Sequence, residues 1–220
     1  MAELRSRTPF GELEVEKRAL RQRMLSLRTA VSAARAREVG ARVAAYAVES
    51  AAFRAASSIA VYAATDGEPD LQELFSRGRA AAKSMLLPRC EADGRLAFCV
   101  VERWQDLSRG RYGLLEPVRS APRVESASID LVFAPSIAVD DRGVRLGRGG
   151  GWYDRSFAGP RDGAAILVAV IHAFQRVERV PGGESDRAVD GYVSELGLTW
   201  TSGRAPDVAT RGRGGDSRGR

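Results

Sequence analysis

The stretch that most restricts the fold is Ala164 to Ile171, AAILVAVI, the longest uninterrupted apolar run in the chain. A run of this kind has no polar face, so as a strand it must be covered on both sides, which is the situation of central strands in parallel sheets. We place it at the sheet centre. Ser58–Ala63 (SIAVYA), Lys83–Pro88 and Asp130–Ala134 (DLVFA) read as further buried strands. Asp93-Gly94 is a hairpin signal leading into the apolar run Leu96–Val101. Helical patterns separate the strands. Leu13, Leu20, Met24 and Leu27 fall at helical spacing from Glu12 to about Leu27. Ser32 is placed to cap a second helix, rich in small side chains, running to about Ser50. Asp70 can cap a third, to about Ala82, and a short edge strand is expected after Tyr192. Strands alternating with helices predict an α/β fold: a single-domain three-layer sandwich with a mostly parallel central sheet flanked by helices. The expected organisation is a lead-in at 1–11, the domain at 12–200 and a disordered Arg/Gly-rich tail at 201–220.

No apolar run approaches the roughly 20 residues that a bilayer span needs. The first residues lack the apolar core of a signal peptide. No membrane association, a cytoplasmic location and a monomer are therefore expected. The net charge of +6 invites an anionic partner, yet it is almost entirely arginine: Lys17 and Lys83 are the two lysines. With the abundant alanine and glycine, this reads as compositional bias, and nucleic-acid binding is expected only as weak contacts of the cationic tail. Against that bias Lys17 stands out. Cys90 and Cys99 have no metal-site spacing and read as reduced thiols. His172, the single histidine, reads as a polar residue at a strand end.

Chemistry concentrates in RGVRLGRGGGWYDR, Arg142 to Arg155. Gly143, Gly147, Gly149, Gly150 and Gly151 allow backbone N–H groups to turn around an anion, and Arg145 and Arg148 add forked cationic donors. A helix starting near Trp152 would add the positive end of its dipole. Asp154 is suited to a Mg²⁺ shared with phosphates. The stretch is neither G-x-x-x-x-G-K-S/T, having no lysine, nor G-x-G-x-x-G, since Trp152 takes the place of the third glycine. Composition alone also leaves open a plain surface turn, which the adjacent aromatics Trp152 and Tyr153 argue against. Lys17 and Arg21, four apart on one helix face, can reach one anion. Glu68 falls in a turn-rich loop beyond a strand end, where open parallel sheets bind ligands. Tyr112 lies in the loop Arg109–Pro117, and Asp186 and Asp190 in the loop Pro181–Tyr192.

Five separated segments together resemble the 5-formyltetrahydrofolate cyclo-ligases. They are Lys17-Arg18-Ala19-Leu20-Arg21, Gly67-Glu68-Pro69-Asp70, Tyr112 to Pro117 (YGLLEP), Gly143 to Asp154 (GVRLGRGGGWYD) and Asp186 to Asp190 (DRAVD). Trp152 stands where the family usually has tyrosine, Ser185 where it often has histidine, and Leu71 where it often has threonine. The resemblance implies ATP- and magnesium-dependent cyclisation of 5-formyltetrahydrofolate to 5,10-methenyltetrahydrofolate, with release of ADP and phosphate. It implies Lys17, Arg21, Arg145 and Arg148, with the amides of Gly147 and Gly149 to Gly151, on the triphosphate, and Asp154 and Asp186 on Mg²⁺. Glu68 would bind the pterin edge, with Tyr112, Trp152 and Tyr153 on the folate rings. Lys17 and Arg148 would act in the chemical step. The alternative is an ATP-independent sugar-phosphate isomerase, deaminase or acyl-CoA-transferase-like enzyme on a related fold, which would have no use for Lys17.

Overall fold

The computed structural model describes residues 10–157, 165–182 and 188–202. Helix α1 (Phe10–Thr29) leads into α2 (Ala33–Glu49) and the short α3 (Ala51–Ala55). Ser32 caps α2 as its sequence suggested, its hydroxyl accepting from Arg35 N–H. Strand β1 (Ser58–Ala60) follows, then α4 (Gln72–Ala80), β2 (Ser84–Cys90) and β3 (Leu96–Val100). The short strands β4 (Ser108–Arg109), β5 (Leu115–Glu116) and β6 (Arg123–Val124) precede β7 (Leu131–Pro135). A tight hairpin, β8 (Ala138–Val139) and β9 (Arg145–Leu146), comes before α5 (Trp152–Ser156). The chain then forms β10 (Ile166–Val170), β11 (Gly191–Ser194) and β12 (Gly197–Trp200).

The main sheet has eight strands in the order β12-β11-β10-β7-β1-β2-β3-β6. The run from β11 to β2 is parallel, and β12, β3 and β6 add antiparallel edges. The predicted α/β fold with a mostly parallel sheet is therefore present. Two details differ. β10 is buried at every position but lies beside the central pair β7 and β1, because β11 and β12 supply only two strands on its far side. The expected short edge strand after Tyr192 is β12, which ends the sheet and pairs with β11. β1 is shorter than the apolar run SIAVYA, ending at Ala60, although Val61 N–H still bonds to Leu86 O.

Alternation along the central strands builds two cores. Ile166, Val168 and Val170 of β10 join Leu131 and Phe133 of β7 under α2, α3 and α4. Leu167 and Ala169 join Val132 and Ala134 on the other face, where Phe157 and half-buried Trp152 and Tyr153 pack. The small residues of α2 have a specific use. A Cβ on Gly40 would overlap the Asp70 carbonyl oxygen, so α2 lies directly against the entry to α4. Asp70 does not occupy the cap position, which Leu71 holds, but its Oδ1 accepts from Gln72 N–H at 2.9 Å. Met24 of α1 packs on Ile137, Leu146 and Val180 in a third cluster, joining α1 to the β8–β9 hairpin.

That hairpin is organised by Asp140, which is fully buried. Its carboxylate accepts from the N–H groups of Arg142 (3.1 Å), Val144 (3.0 Å) and Val180 (3.0 Å), and from the Arg142 guanidinium. Asp140→Ala leaves the buried Val180 N–H without its acceptor. We expect a loss of about 3 kcal/mol in denaturant unfolding, with the hairpin loosened before the sheet.

Candidate active site

The carboxyl ends of β1 and β7 open into a cavity of about 620 Å³. Its wall is contributed by Tyr62, the 65–68 turn, the end of β2, the 109–116 loop, and the stretch from Arg145 to Asp154. Three of the five sequence segments thus contribute to one cavity. Glu68, Tyr112, Arg145, Gly147, Arg148, Gly150, Gly151, Trp152, Tyr153 and Asp154 all line the cavity. Asp186, Ser185 and the 203–220 part of the tail lie outside the described residues.

The glycine loop turns through left-handed backbone at Gly149 (φ 99°) and Gly151 (φ 62°), conformations that a side chain would strain. α5 begins at Trp152, the helix start that the sequence predicts, and Asp154 lies in its first turn. The two arginines of the loop have different surroundings. Arg145 belongs to β9 and its side chain is 5% exposed; its Nη2 donates to Asp154 Oδ1 at 2.7 Å. Arg148 is well exposed and crosses to the 65–68 turn, donating to Asp66 Oδ2 (2.6 Å) and Thr65 Oγ1 (3.2 Å). Its Nε is 3.6 Å from Glu68 Oε1. Lys17 and Arg21 do not line the cavity. Arg21 instead grips the loop from α1, its Nε donating to Gly147 O at 3.0 Å, with Lys17 one turn earlier on the same helix.

Glu68 is 6% exposed. Thr65 N–H donates to its Oε2 at 3.1 Å, and Arg28 Nη1 lies 3.3 Å from Oε1. Burial pushes its carboxyl above the ordinary range, while the charges of Arg28 and Arg148 pull the other way. The turn that carries it contains Asp66 (φ 47°) and Gly67 (φ 72°), both left-handed. His172 lies just beyond the end of β10 and is buried: its ring stacks on Phe174, and its Nε2 is 2.7 Å from Gly67 O. Burial lowers its pKa, so the imidazole is neutral and Nε2–H donates to that carbonyl.

Opposite Glu68 the wall is aromatic. Tyr112 is 69% exposed and meets Trp152 edge-on, ring centroids 6.2 Å apart. Tyr153 is held from behind, stacked on Phe157 and edge-on to Phe98, and burial raises its hydroxyl pKa. A second carboxylate, buried Glu116, accepts from Cys90 N–H at 3.2 Å. Burial and this neighbour push the Cys90 thiol up to about 12. It is therefore no nucleophile near neutrality, and both cysteines are free thiols. Arg28, Tyr62, Asp66 and Glu116 belong to the wall but carried no distinguishing signal in the sequence. Glu116 lay inside a segment that carries the family resemblance, and Tyr62 inside the strand run SIAVYA.

A cavity with a glycine-arginine loop on one side and a buried carboxylate facing aromatics on the other suits a ligand that is both phosphorylated and heterocyclic. Comparison with known proteins gives the family. The model of the 5-formyltetrahydrofolate cyclo-ligase family matches residues 13–195. The 5-formyltetrahydrofolate cyclo-ligase of Escherichia coli (strain K12) is 32% identical over 142 residues, covering 63% of this chain and 78% of that protein. The Haemophilus influenzae enzyme of the same name is 29% identical over 131 residues, 58% of this chain and 70% of that one. Among solved structures, the 5,10-methenyltetrahydrofolate synthetase of Aquifex aeolicus superposes with a TM-score of 0.74 at 30% identity, over 87% of this chain and 96% of that one. The Mycoplasma pneumoniae synthetase, 18% identical over 82% of this chain and 99% of its own, has a TM-score of 0.66 and shares the fold. Matched from the α1 helix through β11, with the glycine loop and Glu68 on one cavity, the chain belongs to the 5-formyltetrahydrofolate cyclo-ligase family of enzymes.

Proposed function

We propose that the protein closes the ring of 5-formyltetrahydrofolate to 5,10-methenyltetrahydrofolate at the cost of ATP. The observation that carries this reading is the shared cavity: the loop with Arg145, Arg148 and Asp154 and the buried Glu68 line the same space, bridged by Arg148. A formamide oxygen is a poor leaving group. In the proposed reaction it attacks the γ-phosphorus, forming an O–P bond while the bond to the bridging oxygen of ADP breaks. The neighbouring amine nitrogen then attacks the formyl carbon. The C–O bond breaks, phosphate leaves with its electron pair, and the amine gives up its proton.

The protein's part is positioning and charge stabilisation. Loop amides of Gly147 and Gly149 to Gly151 cradle the phosphates, with Lys17, Arg21 and Arg145 as the surrounding cations. Arg148 spans from the loop to the Glu68 turn, so it faces the phosphoryl group in transit between nucleotide and folate. Glu68 accepts from the N–H donors of the pterin edge. Tyr112 and Trp152 cover the rings, and Tyr153 supports them. The donor chemistry fits magnesium. Asp154 offers a hard oxygen on a half-exposed side chain at the cavity wall, and Mg²⁺ is usually held by one or two carboxylates together with phosphate oxygens. Asp154 would hold the ion, with Asp186 as the second carboxylate. When bound, it would neutralise phosphate charge.

The direct test follows methenyl-folate absorbance after mixing protein, 5-formyltetrahydrofolate, Mg²⁺ and ATP, beside an ATP-free control. Product that forms only with ATP supports the reading, and product at the same rate without ATP rejects it. Lys17→Ala should raise the KM for ATP about tenfold or more and leave the folate KM within about twofold, as expected for loss of one charge-assisted phosphate contact. A change confined to the folate KM would remove Lys17 from the nucleotide side.

A further inference from the structure

We propose that Arg28 is a positioning residue of this site: from beneath the 65–68 turn it keeps Glu68 a carboxylate and aims it into the cavity. This rests on the reading of Glu68 as the acceptor for the folate ring.

Arg28 stands on the last turn of α1 and is among the largest fully buried side chains of the protein. Its Nε donates to Asp66 O at 3.1 Å and its Nη1 lies 3.3 Å from Glu68 Oε1. Among the described residues neither Nη nitrogen has a hydrogen-bond acceptor, so the ion pair with Glu68 is what compensates its charge. The turn above it is gripped from two sides. A Cβ on Gly67 would overlap the Arg28 carbonyl oxygen, and His172 Nε2–H holds Gly67 O from across the loop. α1 therefore reaches both halves of the cavity, the phosphate loop through Arg21 and the carboxylate turn through Arg28.

A buried ion pair is a poor source of stability compared with apolar side chains of the same volume, so packing alone does not account for a guanidinium here. The chemistry of Glu68 does. A carboxyl buried by itself takes up a proton and changes from a pure acceptor to a donor, which would reject a ring edge made of N–H donors. Several groups face Glu68. Arg28 comes from α1 and Arg148 from the glycine loop; Asp66 and the Thr65 N–H belong to its own turn; Tyr62 follows β1 and Tyr153 lies on α5. Of the two cations, Arg148 is exposed and shared with Asp66, and the phosphates would compete for it. Arg28 is the one that burial fixes in place.

The test uses the full chain with Arg28→Met, Arg28→Lys and Arg28→Met/Glu68→Gln. In the ligand-free protein at pH 7, infrared spectra of Arg28→Met should show a protonated carboxyl band that is absent from wild type, from Arg28→Lys and from the double variant. The Kd of 5-formyltetrahydrofolate, read by tryptophan fluorescence quenching, should weaken about 30-fold in Arg28→Met at pH 7. It should recover as the pH rises and Glu68 ionises. Arg28→Lys, which retains the charge, should restore the wild-type pH profile. Two results overturn the proposal: no new carboxyl band in Arg28→Met, or an affinity that is unchanged or weakened equally at every pH. Should the infrared result hold while wild type fails to bind 5-formyltetrahydrofolate, Arg28 keeps its role toward Glu68 and the folate reading falls.

Discussion

Asp154→Ala is expected to lower ATP-dependent turnover by about 10³-fold, the scale seen when a group that stabilises transition-state charge is removed. Two losses combine. The carboxylate proposed to hold Mg²⁺ disappears, and Arg145 loses the acceptor at 2.7 Å that aims it. Arg145 Nε already has no hydrogen-bond partner among the described residues, so an uncompensated guanidinium would remain nearly buried at the cavity wall. Asp154→Asn separates the two effects. An amide oxygen can still accept from Arg145, but it carries no charge for a cation. The expected outcome is a thermal midpoint close to wild type, turnover still depressed, and a half-saturating Mg²⁺ concentration raised about tenfold or more, as loss of a charged ligand requires. Wild-type Mg²⁺ dependence in Asp154→Asn would take the metal away from this residue.

Glu68→Gln should raise the folate KM about 100-fold and leave the ATP KM near its wild-type value. Glutamine keeps the shape and one acceptor oxygen but loses the charge, and losing one partner of a buried charged contact has effects of this size. The pH dependence gives a second readout. The carboxyl is raised above its ordinary value, chiefly by burial. Folate binding that needs the carboxylate should therefore weaken as the pH falls through this raised value, and in Glu68→Gln that transition should vanish. The linkage to stability has the opposite sense. A carboxyl raised in the folded state contributes stability that is fully present below its unfolded pKa and lost as the pH rises through the folded one. Between those two values wild type should lose stability with rising pH more steeply than Glu68→Gln. An effect of the substitution on the ATP KM alone would contradict the assigned role.

Local patterns carried much of the architecture. The Asp93-Gly94 turn lies between β2 and β3, with Gly94 at φ 81°, and Ser32 starts α2. The runs read as strands pair in one sheet because residues with no polar face must be covered on both sides. Even the glycine loop was locally legible, since Gly149 and Gly151 adopt backbone conformations that other residues resist. The β8–β9 hairpin was less so. Its strands span two residues each, too short for a period to show, and the carboxylate that organises it collects a donor from Val180, 40 residues away.

The arginines show the limit most clearly. Arg145 and Arg148 stand three apart in one loop and look equivalent in the sequence, yet one is buried against Asp154 and the other is exposed on Asp66. The difference arises because β9 pairs with β8 and turns Arg145 inward, whereas Arg148 lies beyond the strand. Arg28 is one cation among many on a basic helix, and its distinction is a turn 38 residues later that closes over it. By itself, the sequence determined the strands, helices and turns, and which residue types could bind phosphate or a ring edge, because backbone conformation and side-chain chemistry are local properties. The tertiary structure alone decided which arginines hold carboxylates and which remain available to a ligand, because burial and ion pairing depend on distances between segments that are far apart in the chain.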